Sequence, residues 1–437
     1  MQHLFTKNFT LLVGILSLPI LAHSQQRQIN ALEAANLAVE NHQQLKVAQK
    51  NIEAAQNATE ITKLLKLPTL TASTTQNYLG NAVMIEKDWS QSNTINMPHY
   101  GSSYAVQANQ LVFKNGWVQK NIDLAVLREQ VSALDFDKNK QDIRFLVISN
   151  YLDIYKLINQ EQVFINNKKL ALERLKDVQK FYQQGMLTRN EVIRAELIIK
   201  NLDQAILSVT NNEKIINYNL NVAMGLPVET QIIPTETLVH KEKVLPIVHY
   251  LNLAYQQHPQ LKAALVNIAA SEKNIDIVKT DRYPSLSLVG GYNMQRPITN
   301  IIPAADKYFG IWQAGVTLSY SIDNLYKTKK RVQLAQVQKE QSKESYSLLK
   351  QNIDMAVNAA YIKYQEALQQ AEILQQAKKL AEENYHITEA KYLNQLSVQA
   401  EMIDAQNQKL QSDLDYANAE ITVLYQYYNL LKSTGTL

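Results

Sequence analysis

The chain has 437 residues, 11 glycines, 10 prolines, no cysteine and a formal net charge of +4. So few turn-forming residues in so long a chain describe long helices rather than a loop-rich enzyme, and a charge this near zero without a Lys/Arg block argues against nucleic acid as a partner. The lack of thiols excludes disulfides, thiolate metal sites and lipid attachment at a cysteine.

Residues 1–24 read as an export signal. Lys7 lies in a short polar start, Leu11, Leu12, Val13, Ile15, Leu16 and Leu18 form an apolar core, and Ala22, His23 and Ser24 precede a cut before Gln25. Beyond it no apolar run reaches the roughly 18 residues of a transmembrane helix, so any passage through a bilayer must use strands.

Residues 30–66 carry Ala, Leu, Val and Ile at three- and four-residue spacing, which predicts one amphipathic helix ended by Pro68. The period then changes to two over about 68–78. Leu70, Ala72, Thr74, Gln76 and Tyr78 share one face, and Thr69, Thr71, Ser73, Thr75 and Asn77 the other. Residues 79–102 read as a long loop, and a second strand follows at about 103–113 whose faces the alternation leaves open. From about 118 to 184 no glycine or proline intervenes, which predicts a rod of roughly 100 Å at about 1.5 Å per residue. Gly185-Met186-Leu187-Thr188 breaks it, and a shorter helix returns to Gly225-Leu226-Pro227.

The second part repeats the first. Leu37, Ala38, His42, Leu45, Lys46, Asn51, Pro68 and Leu70 fall, without a gap, on Leu253, Ala254, His258, Leu261, Lys262, Asn267, Pro284 and Leu286. Strands are predicted at about 284–294 and 311–322, a rod at 325–393, a break at Asn394-Gln395-Leu396-Ser397 and a returning helix at 398–434. Leu286, Leu288 and Tyr292, with Trp312, Val316, Leu318 and Tyr320, form alternating apolar faces with aromatics near the ends, as lipid-facing strands require. A soluble sandwich could show the same alternation, but four strands between long helices have nothing obvious to cover them. Three segments follow from the signal: a first repeat (25–225), a linker at mid-height (226–247) and a second repeat (248–437). The fold class is mainly α with a small β part. Four strands leave open edges in lipid, so self-association is required.

The duplicated order of helix, Pro-x-Leu strand start, strand, rod and tight turn resembles the TolC-like outer-membrane efflux proteins over essentially the whole mature chain. The resemblance implies a homotrimer whose twelve strands form one barrel in the outer membrane of a Gram-negative bacterium, continued by a periplasmic α-helical barrel. It implies a passive exit duct for tripartite efflux or type I secretion, with a periplasmic adaptor and an inner-membrane pump as partners. On this resemblance the turns Gly185, Met186, Leu187, Thr188 and Asn394, Gln395, Leu396, Ser397 are tips gripped by the adaptor. Asn394 stands where glycine is usual and is expected to take the left-handed backbone. Glu401 and Asp404 align with a constricting acidic ring, one residue being inserted before Ala405; Glu191 and Arg194 occupy the other tip, Arg194 placed to tie the closed tip to a neighbouring acid. Paired charges on a helix are otherwise a solvated face. An exported coiled-coil scaffold without transport is the alternative.

No catalytic or cofactor motif and no metal-ligand spacing occurs. His42 and His258 repeat each other and read as structural.

Overall fold

The computed structural model describes residues 26–235 and 244–437; the export signal and part of the linker lie outside them. The first repeat runs β1 (Gln26–Ile29), α1 (Ala31–Asn41), α2 (Gln43–Lys63), β2 (Thr69–Tyr78), β3 (Ala82–Ile85), β4 (Ser92–Ile95), β5 (Tyr100–Phe113), α3 (Trp117–Gln183), α4 (Arg189–Met224) and β6 (Gln231–Pro234). The second runs α5 (Ile247–Gln257), α6 (Pro259–Lys279), β7 (Ser285–Arg296), β8 (Phe309–Ser319), α7 (Asn324–Leu393) and α8 (Gln399–Thr434). Among the described residues no helix is long and apolar enough to cross a membrane.

The amphipathic run at 30–66 is two helices, not one. His42 is extended (φ −63°, ψ 127°): its N–H closes α1 on the Ala38 carbonyl, and its Nδ1 accepts the Gln44 N–H that opens α2. The second repeat breaks at the same place. His258 adopts φ −62°, ψ 117°, and Pro259, whose ring disfavours helical backbone in the residue before it, occupies the first turn of α6. Residues 79–102 likewise differ from the expected plain loop. β3 and β4 pair as a small hairpin, its turn passing through Trp89 at φ 62°, and β5 already begins at Tyr100.

The two rods, α3 and α7, are each flanked by shorter helices placed end to end. α2 and α4 lie along α3, while α6 and α8 bridge α3 and α7. The core is concentrated where the short helices meet. Ala31, Ala34, Ala35 and Ala38 present a small-residue face that brings α1 close to Ile143, Val147 and Tyr151 of α3. Tyr151 is fully buried; its hydroxyl donates to the Ile29 carbonyl (3.0 Å) and accepts the Thr235 N–H (3.2 Å), fixing the parallel β1–β6 pair. A second cluster joins Tyr250, Ala254 and Leu261 to Val357, Tyr364 and Leu430.

The returning helices end against the joints. Gly225 (φ 70°) closes α4, and a Cβ there would lie 2.8 Å from Asn41 Cβ. Gly435 (φ 74°) closes α8, and a Cβ there would lie 2.6 Å from the His258 Cα. Only glycine accepts both the left-handed backbone and the close approach.

Candidate functional site: a two-faced sheet and paired helical tips

β2, β5, β7 and β8 form one antiparallel sheet in that order. Residues opposite one another in a ladder share a face, so the register sorts every side chain. Leu70 pairs with Ala108, Ala72 with Val106, Val106 with Tyr292, Tyr104 with Met294, Leu288 with Val316, Leu286 with Leu318 and Tyr292 with Trp312. This apolar face is uncovered: Trp312 is 75% exposed, Leu318 70%, Leu70 71% and Val316 63%. The other face is mostly polar: Thr69, Thr71, Ser73, Thr75 and Asn77, then Ser103, Gln107 and Asn109, Ser285, Ser287, Asn293 and Gln295, and Gln313, Thr317 and Ser319, with Ala105, Leu111, Val289, Ile311 and Phe309 interspersed. No ionisable side chain occurs on it within the ladder.

The register also assigns β5, whose faces the sequence left open. Tyr104, Val106 and Ala108 belong to the apolar side, and a bulge between Leu111 and Phe113 inverts the alternation so that Phe113 pairs with Leu286. Ser102 and Gln110 interrupt that side, which is why the pattern is muddled in the sequence. At the far end β8 stops at Ser319, so Tyr320 and Ile322 lie past the strand rather than in it. Both outer edges, on β2 and β8, lack a partner strand among the described residues.

At the opposite end of the rods lie the two tips. In the first, Gly185 is left-handed (φ 74°) and the Met186 N–H reaches back to the Phe181 carbonyl. Thr188 caps α4: Glu191 accepts its N–H (3.0 Å) and its hydroxyl, and so closes a capping box. In the second tip Gln395, not Asn394, carries the left-handed backbone (φ 63°); Asn394 ends α7 with its side-chain amide on the Ala390 carbonyl. Gln395 therefore matches Gly185, Glu401 matches Glu191 and Ala405 matches Ala195 with equal spacing, so no residue is inserted in the second tip. The amide pattern agrees, Leu396 N–H bonding the Lys391 carbonyl as Met186 does Phe181.

Glu401 is exposed and accepts the Ser397 hydroxyl, and Asp404, also exposed, accepts from Gln408 Nε2 at 2.8 Å. Arg194 is exposed and pairs with no carboxylate among the described residues, so the tie assigned to it is not made within the chain. The tips are joined by Gln399 Nε2, which donates to the Glu191 carbonyl at 3.0 Å. Between them is a cleft of about 290 Å³ lined by Phe181, Met186, Leu187, Tyr392, Gln395, Ser397 and Val398, among others. Tyr392 is buried at its base, edge-on to Phe181, with the Arg174 guanidinium 4.1 Å from its ring centre; burial pushes its hydroxyl pKa up. The sequence reading missed Arg174 and Tyr392, although Tyr392 stands where the first repeat has Tyr182. No group of His, Cys, Asp or Glu among the described residues could hold a metal.

Residues 250–436 match the family of outer membrane efflux proteins. The fold agrees over nearly the whole chain: the outer-membrane channel CmeC of Campylobacter jejuni superposes with a TM-score of 0.75 at 15% identity, covering 93% of this chain and 86% of that one. The second repeat thus matches the outer membrane efflux protein family, and the whole chain has the fold of such channels. Two further members of this group fit as well. The outer-membrane channel OprN gives a TM-score of 0.76 at 15% identity over 93% of this chain and 90% of its own. MtrE of Neisseria gonorrhoeae, solved in its open state, gives 0.71 at 16% identity over 93% and 89%. Among curated proteins, none matches the sequence.

Proposed function

We propose that three copies of this chain form the outer-membrane exit duct of a tripartite efflux or type I secretion assembly. The observation that carries this reading is the four-stranded sheet, apolar and uncovered on one side, lined mainly with hydroxyl and amide groups on the other, and unpaired at both edges. Such a sheet is stable in a bilayer only if its edges close, and β8 of one copy set antiparallel against β2 of the next completes a barrel of twelve strands. The rods support the same assembly. Exposed Leu348, Met355, Ile362, Ile373, Leu380 and Ile387 recur on α7 at intervals of seven and eleven, a seam suited to the exposed Leu207, Ile215 and Val222 of a neighbouring α4.

In this reading two repeats, 25–225 and 248–437, hang from the barrel into the periplasm and are joined by the 226–247 linker at mid-height. Met186, Leu187 and Leu396, with Gly185, Thr188, Asn394, Gln395 and Ser397, form the tips that meet an adaptor, and an inner-membrane pump drives transport. Glu401 and Asp404, three times over, surround the periplasmic aperture as a cation-binding constriction; Glu191 and Arg194 flank it. The chain is a conduit rather than an enzyme.

Fractionation and planar-bilayer recording test this. An outer-membrane trimer that gives conductance steps is expected; an elongated soluble monomer with none would establish the scaffold alternative instead. For the constriction, Glu401→Gln with Asp404→Asn should weaken divalent-cation block of the current by about ten-fold. Unchanged block would remove both residues from that role.

A further inference from the structure

Where the sheet passes into the helices the chain is strongly basic. Residues 60–68, 114–123, 276–284 and 320–332 contain ten lysines and arginines against five aspartates and glutamates. The other rim of the sheet, 79–99 with 296–308, is balanced: Lys87, Arg296 and Lys307 against Glu86, Asp88 and Asp306. The excess is therefore a property of the helix side alone.

Within the collar the carboxylates are already occupied. Asp281 holds Lys114 (3.0 Å) and Arg331 (3.4 Å), Glu60 holds Lys63, Asp276 holds Lys279 and Asp323 holds Lys327. Lys66, Arg282, Lys329 and Lys330 are exposed and pair with no carboxylate among the described residues. Lys66 and Arg282 are equivalent in the two repeats, each two residues before the proline that starts a lipid-facing strand. At the ends of α2 and α6 a cation also favours the helix dipole, which would by itself explain that pair. The same explanation fails for Lys329 and Lys330. They lie in the first two turns of α7, where positive charge opposes the dipole, and Thr328, Val332 and Ala335 supply the buried face of that segment.

The four cations are absent from the wall of the cleft on the hydroxyl-bearing side of the sheet, which is lined there by Leu65, Leu67, Thr69 and Trp117. We infer that they form a collar that binds the phosphate groups of anionic phospholipids in the periplasmic leaflet, directly beneath the exposed Leu70, Leu288, Val316 and Leu318. The collar presupposes the membrane seat of the sheet proposed above. Long basic side chains whose stems lie along an apolar surface reach the headgroup layer and prefer a phosphate of net negative charge over a zwitterion.

Native mass spectrometry of the purified full-length trimer, offered phosphatidylglycerol or phosphatidylcholine of equal chain length, reads this preference. The wild-type protein should retain the anionic lipid at least about five-fold better, and Lys66→Gln, Arg282→Gln, Lys329→Gln and Lys330→Gln together should bring the ratio close to one. Lys87→Gln with Lys307→Gln, at the balanced rim, should leave it unchanged. Equal retention of the two lipids by the wild type, or an undiminished ratio in the fourfold variant, overturns the collar while conductance steps leave the duct standing. Adding inorganic phosphate should compete only weakly; full displacement by it would replace the lipid with a free-anion site and overturn the collar as well. A protein that gives no conductance overturns both.

Discussion

The two repeats share a backbone but not the side chains that hold it. At mid-height the first joint is padded by a side chain: Gly225 approaches Asn41, and His42 caps α2 through its own imidazole. The second joint is backbone on backbone: Gly435 lies against the His258 main chain, the His258 Nδ1 is buried without a partner, and Pro259 replaces the cap. At the tips the first turn uses glycine and a capping box, and the second forces Gln395 into the same conformation and offers Ser397 to Glu401. Spacing thus fixes where each repeat turns, and side-chain identity sets how firmly.

The contrast is sharpest at the joints. Gly435→Ala should destabilise by about 3 kcal/mol, since the added carbon meets main chain that cannot rotate away, on top of left-handed strain. Gly225→Ala should cost about 2 kcal/mol because Asn41 can yield. Guanidinium unfolding midpoints compare the two, and equal losses would erase the distinction.

At the tips the signs should differ. Gln395→Gly is expected to stabilise by about 1 kcal/mol and Gly185→Ala to destabilise by about 1 kcal/mol, a Cβ at Gly185 meeting nothing within 4 Å. Thr188→Ala, which removes the capping box, should cost about 1 kcal/mol and Ser397→Ala about half that. Hydrogen exchange in the first turns of α4 and α8 would read these differences locally.

The smallest effect is one of pH. Burial lowers the His258 pKa below its ordinary 6.5, partly opposed by Asp142, which is itself held by Lys432 (3.2 Å) and Lys138 (3.6 Å); His42 is lowered in the same way but is less buried. The unfolded chain takes up the proton first, so this contribution to stability is complete above pH 6.5 and declines as pH falls toward the folded value. His258→Asn should flatten the decline of stability below pH 6.5 more than His42→Asn does. Equal effects would show that the joints are electrostatically alike, and a reversed ranking would overturn the assignment of the larger effect to His258.

The strands, rods and turning points were legible in the sequence because period and proline report them directly. The break at His42 was not, since the polar residues around it suit a helix as well as a cap. Pro259 carried the signal in the other repeat, and reading it across the duplication would have placed both breaks. The faces of β5 were hidden by one bulge, which only pairing with β7 reveals. Asn394 was mistaken for the left-handed position, which is Gln395, because composition suggests which residue accepts that backbone most easily, whereas the hydrogen bonds of the preceding helix decide which must.

The short parallel ribbon of β1 and β6 gives the molecule a clasp. Residues 26–29 are fastened by residues 231–234, so everything between them is a loop with a locked base, and Tyr151 is the pin. As the chain is made amino end first, that clasp can snap shut before the other half arrives. The first arm would then be a finished template on which the second is laid.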